Sequence, residues 1–191
     1  MSSVTRKILP IVFALVVASA EAGPDDLVPP DLQVALLKKI VRYERGFVER
    51  TRAQVNLLIV VRAGSDGSER AAVQIGKAFE DSGGGGAAPP IRVTVHRFST
   101  PATLRNAILG AGASIVYLTP GVTPDVEAIA FALEGLPAIT VAEDGADVDR
   151  GAVLGFELVY ARPKIVINVG QARRQGLNFN SDLFRLARVV K

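Results

Sequence analysis

His96 is the only histidine in the chain, and there is no cysteine. A general base needs a positioned neighbour, and a zinc site needs several ligands, usually histidine or cysteine. His96 stands on the polar side of a strand-like run with Arg92 and Thr94, without a partner set beside it, and reads as a surface histidine. The Ser-His and Cys-His routes to an activated nucleophile therefore have almost no residues to use. The loop Arg62-Ala-Gly-Ser-Asp-Gly-Ser68 separates a strand-like from a helix-like segment, where backbone N–H groups attract anions. It has neither a following Gly-Lys-Ser/Thr nor the spaced glycine triplet of a dinucleotide site, and Asp66 would repel a phosphate. Turn and cap chemistry accounts for it. The stretch Glu143-Asp144-Gly-Ala-Asp147-Val-Asp149 lacks the turn glycine and the closing glutamate of a calcium loop and reads as a solvated loop. No catalytic set, metal site or cofactor is expected.

Composition narrows the class. A chain of 191 residues with 49% hydrophobic content can build one globular domain with a substantial core. Net charge is +3, and the cations are scattered apart from pairs such as Lys38-Lys39 and Arg173-Arg174, so nucleic acid is not an expected partner. The lack of cysteine excludes disulfides, thiolate metal sites and a lipid-anchoring cysteine. At the start, Arg6-Lys7, the apolar run Ile8 to Ala18 and Ala20-Glu21-Ala22 form the pattern of a secretory signal peptide over residues 1–22. The run is shorter than the about 20 residues that span a bilayer. The expected product is a periplasmic domain over residues 23–191 that does not insert into the membrane.

The elements that would position any site follow from periodicity. Asp31 is placed to cap a helix with Leu32, Leu36, Ile40, Tyr43 and Phe47 at helical spacing. Val55 to Val61 is a continuous apolar run, as in a strand buried on both faces. Asp66-Gly-Ser-Glu69 has capping-box spacing and opens a helix through Phe79. Gly83–Gly86 with Ala-Ala-Pro-Pro is a link, Ile91 to Phe98 alternates as a strand, and Thr100-Pro101 starts a helix to about Leu109. A strand at Ser114 to Leu118, a helix led by Thr123-Pro124 to Leu133 and a strand at Ala138 to Val141 continue the alternation. Val153 to Tyr160 and Lys164 to Val169, joined by Ala161-Arg162-Pro163, read as an antiparallel hairpin. A short helix at Gln171 to Gln175 stops at Gly176, and Asn180-Ser181 caps a last helix striped by Leu183, Leu186, Ala187 and Val190. The expected fold is one three-layer α/β domain with a mostly parallel sheet and a C-terminal antiparallel hairpin.

Two candidate surfaces follow. Loops after the parallel strands gather at the carboxyl edge of such a sheet, where α/β folds bind ligands. There Asp66, Ser68, Thr119, Glu143 and Asp144 could line a crevice for a small solute. Tyr43, Arg45 and Phe47 are of the types that anchor protein interfaces, although Tyr and Phe at this spacing also serve as core anchors. Arg173 and Arg174 could meet an acidic partner. The apolar first and last helices predict a homodimer with two-fold symmetry.

The ending Lys164-Ile-Val-Ile-Asn168-Val-Gly-Gln-Ala172-Arg173-Arg174-Gln-Gly176-Leu, followed by Ser181-Asp-Leu183-Phe-Arg185-Leu186-Ala187-Arg188, resembles that of YfiR-like periplasmic proteins of the YfiR/HmsC type. Ala35-Leu-Leu-Lys-Lys-Ile-Val-Arg-Tyr43-Glu-Arg45-Gly-Phe is similar to the opening helix of one branch of that family. The resemblance spans nearly all of the mature chain, with specific motifs at its two ends. It implies a fold like a reduced periplasmic binding protein, often dimeric. It also implies a non-catalytic regulator that restrains an inner-membrane signalling protein, a diguanylate cyclase in the best-known members. Those members carry cysteine pairs and a Phe-x-x-Trp-Pro pattern after the first helix, whereas this chain has no cysteine and no tryptophan. Disulfide-based control therefore does not carry over.

Overall fold

The structure, a computed structural model, describes residues 27–83 and 89–190. The signal segment 1–22 and most of the glycine-rich link lie outside the described residues. Helix α1 (Pro30–Ile40) begins with proline at its first position, where the missing N–H costs nothing, so Asp31 sits inside the first turn and does not cap it. The helix buries Gln33, Val34, Leu37 and Ile40, a face rotated from the expected stripe, and leaves Leu32 exposed. It also ends early. Val41–Tyr43 is a single 3-10 turn, Glu44 is extended, and α2 (Phe47–Arg50) is one separate turn.

Strand β1 (Val55–Arg62) is buried on both faces, as its apolar run requires. Helix α3 (Asp66–Ser82) follows, but its cap is Ser65, whose hydroxyl accepts from the Ser68 N–H, one residue earlier than the expected box. Strand β2 (Ile91–Phe98) leads to α4 (Pro101–Ala111), where Thr100 and Thr103 form a reciprocal capping box. After β3 (Ile115–Leu118), the chain makes a 3-10 turn over Pro120–Asp125 before α5 (Val126–Ala132). Thr123 does not cap that helix, because its hydroxyl donates to the Pro120 carbonyl and bonds the Asp147 carboxylate. Strand β4 (Ile139–Ala142) and the short α6 (Ala146–Asp149) follow, so the acidic stretch is helical in part and buries Asp147.

Strands β5 (Leu154–Val159) and β6 (Arg162–Asn168) pair antiparallel, as the hairpin pattern predicts. The turn is tighter than expected. Tyr160 and Ala161 alone form it, both at positive φ, and Arg162 and Pro163 already belong to β6. Asn168 caps α7 (Val169–Arg174) through the Gln171 N–H, and Gly176 follows at positive φ. Asn180 caps α8 (Ser181–Phe184), but this is one turn only; β7 (Ala187–Val190) replaces the rest of the expected helix and pairs parallel to β6. The helical spacing of Leu183, Leu186, Ala187 and Val190 is overridden because β6 offers unpaired backbone groups from Ile165 to Asn168, which a strand can satisfy and a helix cannot.

The seven strands run in the order β2-β1-β3-β4-β5-β6-β7, parallel from β2 to β5 and reversed for β6 and β7. One face packs Leu57, Ile59 and Val61 against Leu37, Ile40, Ile75 and Phe79 of α1 and α3, with Leu177, Phe179 and Leu183 completing the cover. The other packs Leu58, Val60 and Val116 against Leu104, Ile108, Ile129 and Val148 of α4, α5 and α6. Both faces are buried along the central strands β1, β3 and β4, while the edge strands β2 and β7 are partly exposed.

The cover of the first face is held by Glu44, which is 3% exposed. One carboxylate oxygen accepts from the Gly46 N–H at 3.1 Å and from Arg50 at 2.7 Å; the other accepts from the Asn178 N–H at 3.1 Å. The Arg45 N–H to Asn178 carbonyl bond (3.0 Å) and the Asn180 N–H to Tyr43 carbonyl bond (2.7 Å) finish a short bridge between the first helix and the C-terminal turn. Removing this carboxylate strands three donors, one of them charged. Glu44→Ala is expected to lower unfolding free energy by about 3 kcal/mol, while Glu49→Ala, which breaks only an exposed pair with Arg52, should change it by less than about 0.5 kcal/mol. Urea denaturation of the two variants measures the contrast.

Candidate functional site

Two regions contain the residues singled out from sequence. At the carboxyl edge, Ser68 and Thr119 meet at 2.5 Å between hydroxyl oxygens, and both are fully buried. The Thr119 hydroxyl donates to the Val60 carbonyl at 2.8 Å, and Ser68 accepts from the Arg62 N–H at 2.9 Å. Both hydroxyls therefore stitch β1, α3 and the loop after β3 together and face no solvent. Gly121 lies against this junction, and a Cβ there would stand 3.0 Å from Ser68 Cβ and 3.1 Å from Arg62 Cβ. The Arg62 guanidinium bonds the Gly121 carbonyl and pairs with Asp125 across the same loops. Asp66 is exposed in the first turn of α3, away from these bonds.

Glu143 and Asp144, both half-buried, directly follow β4. Asp144 accepts from the Ala146 N–H at 2.9 Å and so shapes the entry to α6. One carboxylate oxygen of Glu143 is buried without a hydrogen-bond partner among the described residues. Burial first, and the neighbouring Asp144 second, raise the Glu143 carboxyl above the ordinary carboxylate range. Burial likewise raises Asp147, offset by the Thr123 hydroxyl. Burial foremost, then Glu143, pushes the Tyr117 phenol well above its ordinary value, although its bond to Gln33 works the other way. That phenol donates to the Gln33 side-chain oxygen at 2.7 Å, and the Gln33 amide donates to the Val28 carbonyl at 2.7 Å. Gln33 and Tyr117 are the polar residues that periodicity misses. A glutamine among leucines has no sequence mark that sets it inside, and its partner lies 84 positions away.

The second region joins the two ends of the chain. Tyr43 is half-buried against the core and Arg45 is exposed, beside Asn178 through the backbone bridge. Phe47 is 5% exposed and belongs to the core, so its side chain offers no surface to a partner. Arg173 is exposed and borders a depression of about 300 Å³ with Val169, Leu177, Phe179 and Phe184. Arg174 is tied down: its guanidinium donates to the Gln171 side chain at 2.7 and 2.9 Å and pairs with Glu134 at 3.2 Å. Of the five interface candidates, Arg45 and Arg173 are thus exposed, with no side-chain partner among the described residues, and Tyr43 is partly exposed. His96 is half-buried on β2, with Nε2 unpartnered among the described residues and its basicity lowered by burial.

The carboxylates give a pH signature. A carboxyl whose folded-state affinity for protons exceeds the unfolded one makes the fold bind more protons, so stability falls as pH rises through that interval. Glu143→Gln removes this loss at its site. Its unfolding free energy is expected to fall less than the wild type's between about pH 4 and about pH 8, as measured by urea titration across that range.

Likeness to solved structures confirms the architecture. A conserved domain protein from Vibrio cholerae superposes with a TM-score of 0.60 at 15% identity, over 87% of this chain and 61% of that one. The ligand-free, open structure of a substrate-binding protein with adhesive properties from Clostridium difficile gives 0.63 at 13%, over 87% and 61%. A domain from Streptococcus pneumonia in complex with L-Trp gives 0.59 at 10%, over 85% and 62%. The chain spans about three-fifths of the length of these structures. The likeness shows a shared fold, one of these chains being a substrate-binding protein, in line with the reduced binding-protein fold that the resemblance implied. A search of curated protein sequences finds no match. The YfiR/HmsC-like family model matches residues 30–188, from the first helix into the last strand, and the chain belongs to the YfiR/HmsC-like family.

Proposed function

We propose that the protein is a non-catalytic periplasmic regulator that binds and restrains an inner-membrane signalling protein, a diguanylate cyclase. The observation that carries this reading is family membership across residues 30–188, which supports a periplasmic regulator. The secretory pattern at residues 1–22 agrees with it, and among the described residues no helix is long and apolar enough to cross a membrane. A regulator of this kind biases its target by binding one conformation better than another, and coupling of roughly 1–3 kcal/mol changes activity several-fold to a hundredfold. The contact surface in this reading is the junction of the chain ends, with Arg45 and Arg173 as its exposed cations and the apolar depression beside Arg173. A second copy of the chain completes the regulator as a homodimer.

A second reading, a receptor for a small solute, draws support from the fold shared with substrate-binding proteins and with a domain solved in complex with L-Trp. Its crevice is the carboxyl edge near Asp66, Glu143 and Asp144. The two readings separate in cells. Deleting the gene raises cyclic di-GMP if the regulator reading holds, and restoring the exported wild type lowers it. The double variant Arg45→Glu, Arg173→Glu, with both sites exposed, should leave the fold intact by circular dichroism and fail to lower it. Unchanged cyclic di-GMP on deletion, with tight solute binding by the purified protein, selects the receptor. Export has its own test: N-terminal sequencing of the periplasmic product should begin at Gly23, and a soluble cytosolic product that retains Met1 would refute it.

A further inference from the structure

A cavity of about 710 Å³ lies at the amino edge of the sheet, opposite the edge where this fold class binds ligands. Its floor is built from the first residues of three adjacent parallel strands, Val55, Ile91 and Ile115. Leu37 of α1, Phe47 of α2 and Phe79 of α3 form the walls. The size is that of a site for a small organic ligand. The polar chemistry inside is already spent: Thr51 is buried, and its hydroxyl donates to the Phe47 carbonyl at 2.8 Å. The other interior side chains are apolar and favour an apolar body.

The rim differs from the floor. Its charged side chains are Lys38, Arg42 and Arg52, all cationic. Lys38 donates to the Ser82 carbonyl, and Arg52 pairs with Glu49. Arg42 is exposed and has no hydrogen-bond or ion-pair partner among the described residues. Val48, 57% exposed, adds an apolar residue presented to water, and Gly83 and Pro89 also line the cavity.

We propose that this cavity binds an anionic amphiphile, a molecule with an apolar tail lying over Val48, Ile91 and the edge of Val55 and a single carboxylate-type head held at the rim by Arg42. The site shares no residue with the carboxyl edge and includes neither Arg45 nor Arg173, and it does not depend on a cyclase being the target. Its occupant bears on the segment that Glu44 fastens, because Leu37 of α1 and Val41 and Arg42 of the following 3-10 turn line the cavity just before that residue.

The test uses the purified protein and two probes with one tail: dodecanoate and dodecyltrimethylammonium, titrated calorimetrically below their micelle-forming concentrations. Dodecanoate is expected to bind saturably, one molecule per chain, and about fivefold or more tighter than the cationic probe. Arg42→Gln, at an exposed residue with no partner to lose, should erase most of that preference. Val48→Glu should weaken dodecanoate further and spare the cationic probe. Thermal melts of both variants that match the wild type establish that the fold is intact. Equal affinity for the two probes, no saturable binding, or dodecanoate binding indifferent to both substitutions would overturn the proposal.

Discussion

The buried carboxylate of Glu44 is the fastening on which one whole side of the molecule depends. A seven-stranded sheet apolar on both faces must be covered twice, and the second cover comes from sequence-adjacent crossover helices. The first cover is different: besides the crossover helix α3 it needs α1, which precedes every strand, and the turn after α7, which follows six of them. No crossover connection holds these two parts in place. Glu44 does so by accepting from Gly46, Arg50 and Asn178 at once, and the backbone bridge around it adds two bonds. A carboxylate taken out of water is costly unless its lone pairs are filled, and here they are filled by groups from both ends of the chain. The same anchor sets where α1 stops, and so shapes the cavity beneath its last turn.

The reversal of direction at the hairpin is the other feature that decides the outline. Five strands run parallel, and the chain could have added a further crossover; the two-residue turn at Tyr160 and Ala161 sends β6 back instead. Both residues stand at positive φ, which costs each non-glycine residue roughly 1–2 kcal/mol, and Tyr160 is 96% exposed, so its side chain recovers little by burial. The six register pairs of the hairpin hold the turn in that state. Once β6 is reversed, its outer edge is open, and β7 pairs to it over Ile165 to Asn168. Pro163, which has no N–H to give, lies outside that paired span.

The two ends of the sheet have separate characters. At the carboxyl edge, polar groups close on one another: Ser68 with Thr119, Arg62 with Asp125, Thr123 with Asp147. Glu143 is the exception, half-buried and unsatisfied at one oxygen. The amino edge is the reverse, with an apolar hollow whose charged lining residues, among the described ones, are Lys38, Arg42 and Arg52. The interface candidates lie at neither end but at the seam of the two termini, where Arg45 and Arg173 remain in solvent after Phe47 has gone into the core and Arg174 has been tied to Gln171 and Glu134.

The sequence by itself determined the elements whose signals are local. The apolar run Val55 to Val61 could only be a doubly buried strand, Thr100-Pro101 carried its own cap, and alternation of strands and helices forced a largely parallel sheet. The ends of the chain were enough to reveal the family, because their motifs are contiguous. The tertiary structure decided whatever depended on a distant partner. Leu183 to Val190 had helical spacing, yet the open edge of β6 claimed its second half as a strand. Gln33 had no mark of burial until Tyr117 and Val28 supplied its bonds, and turning it inward rotated the face of α1. Ser68, Thr119, Phe47 and Arg174 had the right types for a site, but each was taken up by a neighbour that no local pattern names. Periodicity records the free energy of burying a face; it does not record which groups across the fold will satisfy one another.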